Sequence, residues 1–196
     1  MSEVTNSTTE KPLGKRERLV VSAQELIHEQ GAHRTTLAEI AERAGVPLGN
    51  VYYYFKSKDE LIGAVLDSYQ EQAAKLIKAF ERHRSPQARL KALVQNWSDM
   101  REAVARHGCP MGTLCAELDK DEGGRDRDAA AVMTIIIDWA EDQFRQLGRR
   151  DSRDLALALF AGIQGAALLA NTFRDPTVLT REGRHLERWI DTLTRA

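Results

Sequence analysis

Three residues with reactive side chains, His107, Cys109 and Cys115, fall in one short segment of the sequence. A thiolate is both a nucleophile and a zinc ligand, so this segment raises the question of thiol or metal chemistry. A thiol enzyme needs a base that faces the sulfur, but His107 is too close in sequence to face Cys109, and no third orienting group is evident. A zinc site here would lack one ligand. The segment therefore gives little support to an enzyme or a metal site.

A second group of polar side chains lies between Thr35 and Lys58, where three tyrosines follow one another. They cannot all be buried on one helical face, so at least one phenol must be exposed. A phenol hydroxyl donates to phosphate while its ring packs on a sugar or a thymine methyl. Gly49 lets the backbone approach a phosphate, and Lys58 adds a charge at a helix start. The alternative is that the tyrosines are core aromatics and Lys58 is a solvated surface lysine.

Composition favours a soluble, helical protein. Hydrophobic residues make up 42% of the 196 residues and charged residues 29%, and only five prolines occur. The N-terminus lacks the apolar segment of an export signal. The most apolar stretch, Leu155 to Leu169, contains Gln164 and is shorter than the roughly 20 residues of a membrane span. We therefore expect a cytoplasmic protein with reduced cysteines and no membrane partner.

The charge is unevenly distributed along the chain. The formal net charge is −1, which argues against a generally basic coat for nucleic acid. Residues 11 to 58, however, carry eight Lys and Arg against five Asp and Glu, a local excess of three positive charges. Such a cationic end suits phosphate contacts that are confined to one surface.

Apolar periodicity, capping residues and turn signals predict an all-α fold of about nine helices, with no strand and no internal repeat. Residues 1–13 are predicted to form a disordered arm. The fifth predicted helix runs from Pro86 through Val104, a shorter one follows Pro110, and the segment Asp119 to Asp128 is the clearest loop.

The segment from Thr35 to Phe55 has the layout of a helix-turn-helix. Thr36 to Glu39 form a capping box that opens a short helix. Gly45-Val46-Pro47 makes a tight turn, and a second short helix follows. In this motif the second helix enters the DNA major groove while the first crosses the backbone. Val51 and Phe55, four residues apart, are predicted to face inward.

The run TTLAEIAERAGVPLGNVYYYFKSKDEL, from Thr35 to Leu61, closely resembles the DNA-binding signature of the TetR family of repressors. Leu48 and Tyr54 depart from the family pattern, since many members carry a polar or basic residue and a histidine there. By this resemblance eight residues fall at positions that contact operator DNA: Thr35, Thr36, Pro47, Gly49, Asn50, Tyr52, Tyr53 and Lys58.

The same resemblance implies that residues 61–196 form a helical bundle for ligand binding and dimerisation. Candidate ligand-binding or sensing residues are Trp97, Met100, Cys109, Met133 and Trp139, although an aromatic and Met stripe is more often core. The last two long helices would form the dimer interface, and small residues between Leu155 and Ala170 allow close helix approach. Candidate interface residues are Leu159, Gly162, Gly165, Ala166 and Trp189. The alternative is a helix buried within its own chain.

Pro110 predicts that Cys109 lies at a helix N-terminus, where partial positive charge lowers a thiol pKa. The turn around it resembles one in a subset of TetR-like proteins, some of which answer to reactive electrophiles through a cysteine near this point. Cys109 is thus a candidate sensor, with Cys115 as a candidate resolving thiol. The two would not share a helical face, so pairing would require the helix to open. The alternative is an inert buried cysteine.

Together these features predict a sequence-specific DNA-binding regulator with a helix-turn-helix domain at residues 14–60. The resemblance implies a homodimeric repressor that leaves palindromic double-stranded operator DNA when an unidentified small-molecule inducer binds or a thiol is modified. The alternative is a DNA-binding regulator controlled by a protein partner. The chain carries no phosphate loop, zinc-protease motif or dinucleotide fingerprint, so we expect no enzyme activity and no cofactor.

Overall fold

The computed structural model describes residues 12–119 and 126–193. Within these ranges the chain forms ten helices and no strand, so the predicted all-α fold class is confirmed. Most of the predicted arm (residues 1–11), the middle of the predicted loop (120–125) and residues 194–196 lie outside the described residues. The helices are α1 (Lys15–Gln30), α2 (Leu37–Arg43), α3 (Leu48–Tyr54), α4 (Lys58–Phe80), α5 (Pro86–Asp99), α6 (Arg101–His107), α7 (Pro110–Leu118), α8 (Asp126–Gln146), α9 (Ser152–Phe173) and α10 (Thr177–Leu193).

The predicted helix from Pro86 to Val104 is divided at Met100, whose backbone (φ −84°, ψ 4°) leaves the helical region. Just before this point the Ser98 hydroxyl donates to the Val94 carbonyl oxygen (3.2 Å), and the Ser98 carbonyl accepts from the Arg101 guanidinium (3.3 Å). Side-chain hydrogen bonds of this kind compete with the helical ladder and bend helices. The division accounts for ten helices where the sequence predicts about nine.

Capping residues fix where the first helices begin. The Thr36 hydroxyl accepts from the Glu39 N–H (3.2 Å), and the Glu39 carboxylate accepts from the Thr36 N–H (2.8 Å), so the predicted capping box forms. At α4 the Ser57 hydroxyl accepts from the Glu60 N–H (3.1 Å). The Glu60 carboxylate, however, accepts from the Lys56 N–H (2.6 Å). In a capping box the Glu60 carboxylate would accept from the N–H of the N-cap residue, Ser57. Here it accepts from the residue before the N-cap instead.

One continuous hydrophobic core runs through both halves of the chain. In the N-terminal part α1 packs against α4 and α2, and α2 packs against α3; the core then extends between α4, α5, α8, α9 and α10. In addition α1 contacts α6 and α7. The N-terminal helices are thus joined to the larger bundle by packing as well as by α4. Fully buried side chains of α1 to α4 and of the α3 C-cap include Leu19, Ile40, Val51, Phe55, Leu61 and Val65.

By length and apolar composition alone, α9 passes the test for a membrane-spanning helix, as core helices also do. α9 has 22 residues, so it is longer than the apolar stretch from Leu155 to Leu169 that was judged too short for a membrane span. One side of α9 packs against α6, α8 and α10. Packing therefore explains the apolar residues on that side, and its opposite, exposed side is described below.

Candidate nucleic-acid interface and ligand cavity

The turn between α2 and α3 is closed by backbone hydrogen bonds. Gly45 adopts a positive φ of 60°, which favours glycine. The Val46 N–H donates to the Ala41 carbonyl (2.9 Å), and the Gly45 N–H donates to the Glu42 carbonyl (3.1 Å). This helix C-cap leads directly into Pro47, the N-cap of α3. The predicted helix-turn-helix is therefore present.

The face of α3 that points away from the core is exposed from end to end. Tyr53 is 78% exposed and Tyr52 51%, so the prediction that at least one phenol faces solvent is confirmed. A Cβ added at Gly49 would meet nothing within 4 Å, so packing within the chain does not require glycine there. The predicted contact residues that are exposed on this face are Pro47, Gly49, Asn50, Tyr52 and Tyr53.

The opposite face of α3 anchors it to the core. Val51 and Phe55 are buried, as their spacing predicts. The Arg16 guanidinium carbon lies 5.2 Å from the centre of the Phe55 ring, within the range of a cation–π contact. Two buried side chains one helical turn apart hold the helix so that Tyr52 and Tyr53 project outward.

The two threonines predicted to contact DNA differ in the structure. Thr35 is fully buried, and its hydroxyl donates to the Gly31 carbonyl (2.8 Å). Thr35 was predicted to contact operator DNA, but its buried hydroxyl instead supports the turn after α1. Thr36 is exposed, and its hydroxyl donates to Glu39 Oε2 (2.7 Å). This hydrogen bond holds the pKa of the Glu39 carboxyl below its ordinary value.

Two lysines flank the exposed face of α3. Lys58 is half-buried, and its Nζ donates to the His33 carbonyl (3.3 Å) beside the start of α2. Lys56 is exposed, and its Nζ donates to the Tyr52 carbonyl (2.8 Å) at the end of α3. Lys56 was not among the predicted DNA contacts, although its position two residues after the tyrosine run was a usable signal.

An apolar cavity of about 110 Å³ lies between α4, α5, α7 and α8. No charged side chain occurs among the described residues that line it. The indole N–H of Trp97, which lines this cavity, has no hydrogen-bond partner among the described residues. The lining residues are Tyr69, Gln72, Ala73, Leu76, Ile77, Phe80, Leu93, Asn96, Trp97, Met100, Pro110, Met111 and Ile136.

The predicted pocket residues divide into two groups. Trp97 and Met100 line the cavity, as predicted. Trp139 and Met133 are not among the lining residues: Trp139 packs against Phe80 (ring centres 5.6 Å apart), and Met133 packs against the core. Those two assignments were wrong: an aromatic or Met stripe on a helix is as readily core as pocket lining.

The thiol of Cys109 is buried at the N-cap of α7, only 4% exposed. Its Sγ accepts from the Gly112 N–H (3.3 Å), but burial outweighs this contact and raises the pKa of the Cys109 thiol. The predicted lowering of its pKa at a helix N-terminus is therefore wrong. Burial also raises the pKa of Cys115, to about 11, and its Sγ–H donates to the Ala129 carbonyl (3.4 Å). At neutral pH both are buried, neutral thiols.

The exposed side of α9 carries an apolar stripe at helical spacing, here called the α9 stripe: Leu157, Ala161, Gly165, Leu168, Leu169 and Phe173. Of the predicted interface residues only Gly165 belongs to it. Leu159 and Ala166 point into their own core, and Gly162 faces Leu186. Trp189 is half-buried and meets the Phe144 ring edge-on, with centres 6.0 Å apart. Four of the five predicted interface residues therefore lie outside the exposed stripe.

Comparison with known families matches both halves of the chain. Residues 19–65 match the model of bacterial regulatory proteins of the tetR family. Residues 86–186 match the tetracyclin repressor-like C-terminal domain, which alone covers more than half of the chain. The chain belongs to the tetR family.

Relatives and solved structures agree with this assignment. An HTH-type transcriptional regulator of Mycobacterium tuberculosis is 33% identical over 187 residues, covering 90% of this chain and 94% of the relative. The regulator TtgR of Pseudomonas putida is 26% identical, covering 94% of this chain and 92% of TtgR. In fold, the chain is similar to SCO4454, a TetR-family regulator from Streptomyces coelicolor (TM-score 0.81, 20% identity, 92% and 96% coverage).

Membership in the tetR family confirms the central prediction from the sequence. The chain is a DNA-binding transcriptional regulator with a helix-turn-helix, and it is not an enzyme.

Proposed function

We propose that this tetR family regulator is a cytoplasmic homodimer that represses transcription from a palindromic operator and releases it when a small molecule enters the apolar cavity. The observation that carries the proposal is the course of α4. This helix begins at Lys58, beside α3, and its residues from Tyr69 to Phe80 form one wall of the cavity. A molecule that displaces α4 in the cavity would therefore move the reading helix.

The DNA contacts are proposed on the exposed face of α3 and its flanks. Tyr52 and Tyr53 supply phenols, Asn50 supplies an amide, and the open backbone at Gly49 allows close approach to a sugar or phosphate. Thr36 and the half-buried Lys58 border this face, and Lys56 adds an exposed cation. This surface carries few positive charges. Hydrogen bonds to the DNA therefore contribute to affinity alongside the salt-dependent attraction between cations and phosphates.

The homodimer is proposed to form through the α9 stripe. An exposed apolar stripe along a helix is costly in water unless another surface covers it. Two copies related by a twofold axis would cover it and would present two reading helices about one turn of DNA apart, which suits a palindrome. On this proposal residues 14–60 form the DNA-binding domain and residues 61–196 the ligand-binding and dimerisation domain.

The inducer is proposed to be a small, neutral, largely apolar molecule. A charged ligand would lose its hydration with no counter-charge in the lining. A cavity of about 110 Å³ is close to one of about 150 Å³ known to hold benzene. The unpartnered Trp97 indole N–H and the amides of Gln72 and Asn96 can bind one or two acceptor atoms.

Thiol modification is a second route to release. Cys109 is followed directly by Pro110 and Met111, which line the cavity. An adduct at Cys109 would therefore displace the same cavity wall as a bound ligand. Because the thiol is buried and neutral, a neutral electrophile that enters the cavity fits better than a charged oxidant. Control by a protein partner remains the competing proposal, and it would need no occupant of the cavity.

Three measurements on the purified full-length protein test the proposal. Selection from a pool of random DNA duplexes should enrich a palindromic sequence, and sedimentation should give a dimer. Neutral aromatics such as toluene, phenol and indole should raise the melting temperature and weaken operator binding. Benzoate and benzylammonium should do neither. A protein that binds the selected DNA but responds to none of the neutral compounds contradicts the proposed inducer class.

A further inference from the structure

Glu117, near the end of α7, holds the turn that connects α1 to α2. Its Oε2 accepts hydrogen bonds from the backbone N–H groups of Ala32 (2.7 Å) and His33 (3.3 Å). Hydrogen bonds to an ionised carboxylate are among the strong ones. These partners lie 85 and 84 positions away in sequence, so the contact joins the sensor half of the chain to the DNA-binding half.

Gly31 leaves the space that this carboxylate occupies. It has a positive φ of 88°, and a Cβ built on it would lie 2.9 Å from Glu117 Oε1. A side chain at Gly31 would therefore strain the backbone and also displace Glu117. The turn and the carboxylate fit each other closely.

The same turn is fixed on its other side by the helix-turn-helix. The buried Thr35 hydroxyl donates to the Gly31 carbonyl, and Lys58 Nζ donates to the His33 carbonyl. Thr36 then caps α2. Glu117 thus acts on the segment from which α2, and through it α3, takes its direction.

The opposite end of α7 lies at the cavity. Pro110 and Met111 are part of the cavity lining, and Cys109 is the N-cap of the helix. α7 has only nine residues, so a displacement of its first turn is carried to its last. One short helix therefore connects the cavity wall to the turn before α2, independently of α4.

We propose that Glu117 is a positioning residue that transmits the state of the cavity to the helix-turn-helix through α7. Its carboxylate fixes the α1–α2 turn, and with it α2 and α3, in the orientation that fits DNA. A shift of α7 weakens that hold and releases the reading helix. The inference rests on the proposed function, in which the cavity controls DNA binding.

The first test compares full-length wild type with Glu117→Ala, Glu117→Gln and Glu102→Ala, using a duplex that the wild type has selected from a random pool. Glu117→Ala is expected to weaken binding about ten-fold and to speed amide exchange at Ala32 and His33. Glu117→Gln keeps an acceptor oxygen and should bind within about two-fold of wild type.

Glu102→Ala is the matched control. It removes an exposed carboxylate on α6 that lies 3.8 Å from the Arg101 guanidinium, and binding should not change. All affinities are measured well below the melting temperature. A merely structural role for Glu117 would lower stability without altering the affinity of the folded protein, and unchanged affinity in Glu117→Ala overturns the proposal.

The second test measures coupling with Met111→Phe, which adds bulk to the cavity wall on α7. In the wild-type background it should weaken DNA binding about five-fold, but in the Glu117→Ala background by less than about two-fold, because the connection is already broken. An equal change in both backgrounds, or no change in either, overturns the proposal.

Failure of the proposed function would look different. If the random pool yields no enriched sequence, DNA recognition itself is at fault. Amide exchange then stands alone as the test of the contact, and exchange at Ala32 and His33 that Glu117→Ala leaves unchanged overturns the inference.

Discussion

The rings of Tyr53 and Tyr54 meet edge to face, with centres 5.0 Å apart and planes at 88°. Tyr54 is half-buried against the core, whereas Tyr53 is exposed. Tyr54 thus supports the ring of Tyr53 from one side and leaves the Tyr53 hydroxyl exposed to a binding partner.

Tyr53→Phe keeps this ring contact and removes only the hydroxyl. If the hydroxyl donates to operator DNA, binding should weaken about three- to ten-fold, the value of one hydrogen bond. The free energy of unfolding should not change, because the hydroxyl faces solvent. Fluorescence anisotropy and urea denaturation measure the two quantities. Tyr54→Phe is the control, and equal losses in the two variants would contradict a specific role for Tyr53.

Gly49→Ala should separate stability from DNA binding. The added methyl meets nothing within 4 Å, and alanine favours a helix over glycine, so stability should rise by up to about 1 kcal/mol. Operator binding should fall about ten-fold if the DNA backbone lies against this position. Thermal melts and binding titrations on one preparation test this. Unchanged affinity would show that nothing approaches Gly49 closely.

Gly31→Ala should lower both stability and DNA binding. Its backbone (φ 88°, ψ 156°) lies in a region that is essentially restricted to glycine, which costs an L side chain about 1–3 kcal/mol, and the methyl would also press on Glu117. Gly148→Ala is the matched control, since Gly148 has a φ of 80° and nothing within 4 Å of its Cβ position. Gly148→Ala should lose stability without losing DNA affinity. Equal losses of DNA affinity in Gly31→Ala and Gly148→Ala would contradict a specific role for the contact between Gly31 and Glu117.

The sequence predicted the elements better than the directions of their side chains. Capping residues and periodicity identified the helix-turn-helix, and the resemblance located the reading helix. Thr35 and Thr36 are adjacent and chemically alike, yet a hydrogen bond to the Gly31 carbonyl buries the first and a capping box exposes the second. That difference depends on the fold of the turn, which the sequence alone does not specify.

The same limit applies to α9 and to Cys109. α9 is apolar on nearly every side, so its sequence could not show that Leu159 faces the core and Leu157 faces solvent. For Cys109, the helix N-terminus was visible in the sequence but the burial that outweighs it was not. Contacts between distant segments, such as Glu117 with Ala32, leave no local signal at all.

Stability should depend on pH through Cys115. Burial raises its pKa from an ordinary 9.0 to about 11, so above pH 9 the unfolded chain ionises first and becomes favoured. This contribution is complete below pH 9 and is lost as pH rises towards 11. Urea denaturation at several pH values should show a steeper loss for wild type than for Cys115→Ala. Parallel losses would contradict the raised pKa of this thiol.

Leu168→Glu should convert the proposed dimer to a monomer. Leu168 is 67% exposed and lies in the α9 stripe, so the substitution costs little within one chain but places a charge in the proposed interface. Two copies related by a twofold axis would each bring one such charge, which doubles the effect of a single substitution. Val21→Glu, an exposed apolar position on α1 outside the stripe, is the control. Sedimentation equilibrium should give a monomer for Leu168→Glu and a dimer for Val21→Glu. Because two reading heads bind a palindrome far more tightly than one, operator affinity should fall by about 100-fold or more with the monomer. A dimeric Leu168→Glu with full affinity would place the interface elsewhere and leave the exposed stripe for another partner.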